Sequence, residues 1–406
     1  MTIEFRVPFV ERVAVLFQTF AIPPLKKQSV THLGEKCMQT EVSFRTRNLL
    51  TIAAMASFLS VVPLPSAFAA EAPGKALDPA EVQARQVWRE TMHNLDAPAS
   101  GCFHAAFPST QWEEVACAAP SGYRSAIPKT KDGVQTTGNA FDVVAQTPSG
   151  HYFASVIGSF PETKGVKSEK GVGVPLFHDN GVLGPNEYTL QINTDIHHSA
   201  ACDGYSRCKA WQQYVLSTND VSITGKLTGK TEVFIEYWLF NYGVHNGRDI
   251  CPSGYLDVGK DSSGPGDDCV QNSPGAVVYS GQIPITKLTS LELSASAKAG
   301  GTDAATAIYD GDAYKASVHD SLTDIASIWN QAEFNVVGNA GGSRADFNSG
   351  SALLVKMALS YGSTKAPTCE SPYAYLGTTG ETNNLTLTEC AVEGGSKPVL
   401  EFIEEN

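Results

Sequence analysis

From Cys102 onward, apolar and polar positions alternate in short runs, and clusters of Gly, Pro, Asn, Asp and Ser separate the runs. A two-residue period puts successive side chains on opposite faces of a strand. It predicts strands over residues 140–146, 151–158, 188–194, 211–217, 221–228, 232–240, 276–282, 291–299, 304–309, 313–318, 333–338 and 352–359. Many short strands at modest spacing predict an all-β sandwich or barrel. Helical spacing occurs twice. Asp78-Pro79 is an N-cap followed by proline at the first helical position, and Val82, Val87, Trp88 and Leu95 then recur at helical intervals. Residues 321–330 predict a short helix, with Leu322, Ile325, Ile328 and Trp329 on its apolar side.

The start of the 406-residue chain has a different pattern. Residues 1–37 show no periodicity and read as an over-extended start ahead of Met38. Residues 38–69 have the layout of a signal peptide. Arg45 and Arg47 precede an apolar stretch over 49–64, and Ala67-Phe68-Ala69 supplies the small-x-small cleavage pattern. Pro63 and Pro65 interrupt that stretch, which is also short for a membrane span. Residues 70–100 read as a helical pro-segment or a helix packed on the body, and 101–406 as one β-sandwich domain.

Charge and cysteines agree with export. The formal net charge is −13, and without residues 1–69 (seven basic, four acidic) 22 basic and 38 acidic residues remain, a net of −16. That argues against nucleic acid or an anionic membrane as partner. Eight cysteines follow the presumed cleavage site, an even number that suits disulfides in an oxidising compartment. Proximity along the chain pairs Cys102 with Cys117, Cys202 with Cys208, Cys251 with Cys269, and Cys369 with Cys390. The expectation is a secreted monomer, extracellular or periplasmic.

Candidate chemistry centres on residues 211–243. Glu236 lies inside a strand-like run and shares a face with Phe234 and Trp238. Gln212 and Gln213 are adjacent, so each faces a different way. Parity pairs Gln213 with Trp211 and Val215, but it does not say which face is concave. Glu333 repeats the pattern of a carboxylate inside a strand. His197-His198 would point apart on an extended chain, and no G-x-S-x-G, H-E-x-x-H or P-loop occurs. The acidic stretch 257–268 lacks EF-hand spacing and reads as a solvated loop closed by Cys251–Cys269. No metal and no cofactor are expected.

In order and spacing, these segments resemble the glutamic peptidases of the eqolisin type over roughly residues 139–360. Asn139-Ala140 through 156–161 resembles that family's N-W-A-G…V-x-G-x-F-x-V-P region, and 188–194 its W-V-G-I-D-G strand. Residues 210–213 (AWQQ) resemble A-I-L-Q, 234–238 (FIEYW) resemble W-Y-E-W-Y, and 332–337 (AEFNVV) resemble A-E-W-I-V-E. Residues 211–215 followed by 234–238 also resemble the neprosin-type peptidases more distantly. The resemblance implies a concanavalin-like antiparallel double-sheet sandwich and an endopeptidase with Glu333 and Gln213 as catalytic pair. Glu236, Trp238, Gln212 and Asn193 would line the substrate groove. Asn193 stands where the family has aspartate, Phe234 replaces a tryptophan, and the glycine after A-I-L-Q is missing. The chemistry fits such a pair. Glutamate can take a proton from water and return it to the leaving amine, while a neutral carboxamide partners the water or oxyanion without like-charge coupling. The expected partner is therefore a polypeptide substrate. The alternative is a non-catalytic sandwich that binds carbohydrate or a surface ligand, with Tyr237, Trp238 and Tyr242 as stacking surfaces.

Overall fold

The computed structural model describes residues 78–122, 143–172, 182–222, 226–261, 264–339, 343–370 and 381–406. In chain order they form α1 Pro79–Asn94, β1 Gly101–Ala106, β2 Glu113–Val115, β3 Val144–Gln146, β4 Ser155–Lys164, β5 Glu169–Val172, β6 Val182–Pro185, β7 Tyr188–Thr194, β8 Lys209–Ser217, β9 Thr231–Tyr242, β10 Leu256–Lys260 and β11 Asp267–Asn272. The chain continues with β12 Ala276–Tyr279, β13 Leu291–Ser296, β14 Thr302–Tyr309, β15 Asp312–His319, β16 Gln331–Gly338, β17 Arg344–Phe347, β18 Ala352–Ser360, β19 Thr368–Glu370, β20 Thr382–Asn383, β21 Thr386–Glu393 and β22 Val399–Glu405. The over-extended start and the signal peptide lie outside the described residues.

Two large antiparallel sheets make an all-β sandwich. The back sheet runs β2-β1-β15-β14-β13-β4-β18-β22-β21; the front sheet runs β10-β11-β9-β8-β7-β16-β3-β19, with β12 also paired to β9. A small sheet, β20-β17-β5-β6, stands beside them. The core lies between the large sheets. Leu190, Ile192, Tyr214, Ile235 and Phe334 of the front sheet meet Val156, Leu293, Ala305 and Leu353 of the back sheet. Alternation therefore leaves the odd-numbered residues of β7, β8 and β16 and the even-numbered residues of β9 on the front sheet's outer face.

One glycine sets how closely the layers approach. A Cβ on Gly158 would sit 2.2 Å from the Phe334 ring, in the strand that carries Glu333. The ring is fully buried and has no room to retreat. Gly158→Ala is expected to destabilise the fold by about 1–3 kcal/mol through overpacking. Urea unfolding checks this, and an unchanged midpoint would contradict it.

The helix starts as predicted. The Asp78 side chain accepts from Ala80 N at 2.9 Å, with Pro79 at the start of the helix. Its buried face is the predicted one only in part: Val82 and Val87 are exposed, whereas Trp88, together with Met92, packs on Ala105, Ile308 and Ala313 of the back sheet and Leu95 packs beside them. His93 lies between Ser294 Oγ at 2.8 Å and Glu292 Oε2 at 2.7 Å.

The predicted helix at 321–330 does not form. Two single 3-10 turns, Asp320–Leu322 and Ile325–Ser327, replace it, with Asp324 left-handed at φ 55° between them. The carbonyl of Thr323 accepts from His197 Nε2, and its hydroxyl donates to Gln212, so the backbone is pinned where a helix would need it free. Of residues 221–228, the described ones contribute an isolated bridge, Val221 to Leu227. The acidic stretch is not a solvated loop either: β10 and β11 form a hairpin there, and Asp267 and Asp268 are buried.

All four cysteine pairs form as proximity predicts, with Cα–Cα separations of 5.3 to 6.6 Å. Four disulfides place the chain among proteins of oxidising compartments. Among the described residues, no helix is long and apolar enough to cross a membrane.

Candidate active site

The site is built by register. Glu333 of β16 pairs with Asn193 of β7, Asn193 with Gln213 of β8, and Gln213 with Glu236 of β9. Directly paired residues share a face, so the four form one row, carboxylate–amide–amide–carboxylate, across the outer face of the front sheet. Strands lie about 4.8 Å apart. Glu333 and Gln213 are thus two strands apart, with Asn193 between them. Every member of the row is buried, with exposures of 1–2%. In so dry a setting, charges and dipoles act with little screening.

Gln213 Nε2 donates to Asn193 Oδ1 at 2.7 Å and to Gln191 Oε1 at 3.2 Å. Gln191 Nε2 donates in turn to Thr189 Oγ1 at 3.0 Å and Glu381 Oε2 at 2.9 Å. Trp238 lies on the same face, opposite Trp211, and its indole N–H donates to Glu236 Oε1 at 2.8 Å. Trp211, Trp238, Phe240, Ile196 and Val270 form an apolar wall at that end of the face. A cavity of about 10 Å³ lies among Gln191, Gln213, Phe234 and Glu236, a volume suited to one water molecule. Glu333 does not line it.

Gln212 is not part of this row. It faces the core, where its Nε2 donates to Asp303 Oδ2 at 2.9 Å and Tyr214 Oη at 2.8 Å. Its placement among groove residues is therefore corrected: strand parity sends it to the face that packs on the back sheet. Tyr237 also turns to the core, and Trp238 is fully buried, so these two present no open stacking surface for a sugar. His197 and His198 point apart as expected. His197 is buried against Thr323, and burial pushes its ring below the usual histidine range; His198 Nδ1 lies 3.1 Å from the Cys208 carbonyl oxygen. Glu381, the acceptor behind Gln191, was not among the sequence candidates, because it lies outside any run with strand-like alternation.

Elsewhere the sandwich buries many carboxyl groups. Burial, then repulsion from Glu187 and Asp346, pushes Glu169 up to about 8. Burial, then contact with Asp261, pushes Asp268 up to about 8. Glu232 rises to about 7 through burial and then the charge of Asp220; Asp195 and Asp220 rise to about 6 through burial. Asp303, beneath Gln212, is held well above the ordinary carboxyl range by burial, which the bond from Gln212 only partly offsets.

Fold and site together define an all-β sandwich with a buried carboxylate–amide row on its front sheet. No family model matches the chain, and no curated protein matches it in sequence. Among solved structures it is similar to SCP-B, a member of the eqolisin family of peptidases in complex with the tripeptide Ala-Ile-His. The identity is 14% over 66% of this chain and 94% of that one, at a TM-score of 0.24. It is also similar to scytalido-glutamic peptidase bound to a transition-state analogue inhibitor, at 14% identity, the same coverage and a TM-score of 0.21. Superpositions this loose do not place one residue on another, and the site is read from its own register.

Proposed function

We propose that this chain is a secreted glutamic-type endopeptidase that hydrolyses polypeptides at acid pH. One observation carries the reading: Glu333, Asn193, Gln213 and Glu236 lie side by side in one buried row. A carboxylate beside neutral carboxamides is the donor and acceptor set that peptide hydrolysis needs. Glu333 takes a proton from water as the water oxygen attacks the peptide carbonyl carbon. The amides hold the water and the developing oxyanion. Glu333 then returns the proton to the leaving nitrogen, the C–N bond breaks, and a carboxylic acid and an amine result. Glu236, fixed by the Trp238 indole, and the apolar wall beside it flank the row, and substrate would meet them only once the row opens. Because the row is buried, an opening step must precede substrate entry. Export is supported by the four disulfides together with the signal-like segment 38–69.

The test is hydrolysis of a denatured protein substrate by the purified exported chain across roughly pH 2–7, which brackets the ordinary glutamate pKa of about 4.3. Cleavage that peaks below neutrality is the expected result. No cleavage at any pH sinks the proposal and returns the chain to the class of binding sandwiches.

A further inference from the structure

We infer that the catalytic hydrogen-bond donor of the row is the Asn193 amide, with Gln213 presenting its carbonyl oxygen, and that Thr189, Gln191 and Glu381 set this polarity. The inference rests on the peptidase reading above and assigns its amides. It starts from Thr189, whose single hydroxyl proton goes to the Gly338 carbonyl oxygen at 3.0 Å. Toward Gln191 that hydroxyl can only accept, which it does from Nε2 at 3.0 Å. The second N–H of Gln191 goes to Glu381 Oε2 at 2.9 Å. Gln191 is thereby fixed from two sides, with Oε1 turned toward Gln213.

Gln213 must then donate. Its two N–H groups go to Gln191 Oε1 and Asn193 Oδ1. A carboxamide has two N–H donors and no more, so the carbonyl oxygen is the atom Gln213 has left to offer. Asn193 is fixed in the opposite sense. Its Oδ1 accepts from Gln213, so its NH₂ is the donor end, one strand from Glu333. Thr189, Gln191, Asn193, Gln213 and Glu381 are all 4% exposed or less. Reversing one amide at such depth sets acceptor against acceptor, at a cost that burial makes large.

During hydrolysis the attacking water donates one hydrogen bond to Gln213 Oε1 and gives its other proton to Glu333. The carbonyl oxygen that becomes the oxyanion accepts from Asn193 Nδ2. Thr189, Gln191 and Glu381 touch no reacting atom and act as positioning residues.

The decisive variant is Asn193→Asp. It keeps the size of the side chain and an acceptor for Gln213. Ionised, it has no donor; protonated, it regains one as O–H. The expected result is near-parental kcat around pH 3 and a loss on the order of 10²-fold by about pH 6, the scale of one missing oxyanion donor. A merely structural role would lower activity equally at both pH values. Glu381→Gln should keep kcat near the parent, since its carbonyl can still accept, whereas Glu381→Leu should lower kcat with little change in KM. Hydrogen exchange of the side-chain amides, followed by NMR in the unaltered protein, reads the polarity without turnover: the Gln213 NH₂ should exchange more slowly than the Asn193 NH₂. The reverse order of exchange overturns the inference whether or not the protein is active. So does an Asn193→Asp profile parallel to the parent's when Glu333→Gln abolishes hydrolysis, and that pattern leaves the peptidase reading standing. A fully active Glu333→Gln variant removes Glu333 as the base and overturns this inference, and the peptidase reading falls with it only if Glu236→Gln is fully active too.

Discussion

Glu333→Gln is expected to lower peptidase activity by at least about 10²-fold, the usual scale for losing a general base. The substitution keeps the size and shape of the side chain and removes only its capacity to take a proton. Glu333 lies in the middle of β16, paired to Asn193 on one side and Val144 on the other, so the backbone ladder that holds it does not depend on its charge. The variant should fold, and its midpoint in urea should stay close to the parent's. kcat should fall with KM little changed, because the proton leaves water only in the transition state. Glu236→Gln is the control. Its amide oxygen can still accept from the Trp238 indole, so its effect should be smaller and fall mainly on KM. If Glu333→Gln stays fully active while Glu236→Gln is dead, the base is Glu236, next to the water-sized cavity, and the assignment of Glu333 is wrong.

Thermal stability is expected to be higher at pH 4.5 than at pH 8, by on the order of 10 °C in Tm. Glu169, Asp268, Glu232, Asp195 and Asp220 have folded-state values raised to between about 6 and about 8. In the unfolded chain they titrate near about 4. Between those limits the folded state holds more protons than the unfolded state. The stabilisation is fully present below about pH 4 and is lost as pH rises through 6 to 8. Lys315, which burial pushes down to about 8, changes its contribution only between about 8 and its unfolded value, so it does not offset the trend. Calorimetry at constant ionic strength decides the matter, and a Tm that rises from pH 4.5 to pH 8 would falsify it. Glu169→Gln should flatten the upper part of the curve, since a neutral amide has no proton to lose.

Much of the framework could be read along the chain. Period-two alternation placed 188–194 within the residues that β7 occupies, and it centred β8, β9 and β16 correctly. Cysteines close in sequence are close in space here, because each pair ties neighbouring segments. Asp78-Pro79 marked the helix start through a local bond that needs nothing beyond the next two residues. Local signals of this kind are legible because the interactions behind them are local.

The site was only half legible. Parity said that Gln212 and Gln213 point apart. The packing of the back sheet decided which of them faces the core, and it sent Gln212 to Asp303 and Gln213 to the row. The register of β16 against β7, which sets Glu333 beside Asn193, joins segments with no sequence signal in common. Helical spacing at 321–330 lost to Thr323, held by His197 and Gln212 from the front sheet. Glu381 is brought to Gln191 from near the end of the chain, and the carboxyl groups take their raised values from the burial around them. Alternation, capping and chain proximity are properties of neighbouring residues, so the sequence by itself determined the central strands of the front sheet, the helix start and the disulfides. Side-chain facing, long-range register and desolvation arise only when distant segments pack together, so the tertiary structure alone decided which carboxylates and amides share a site.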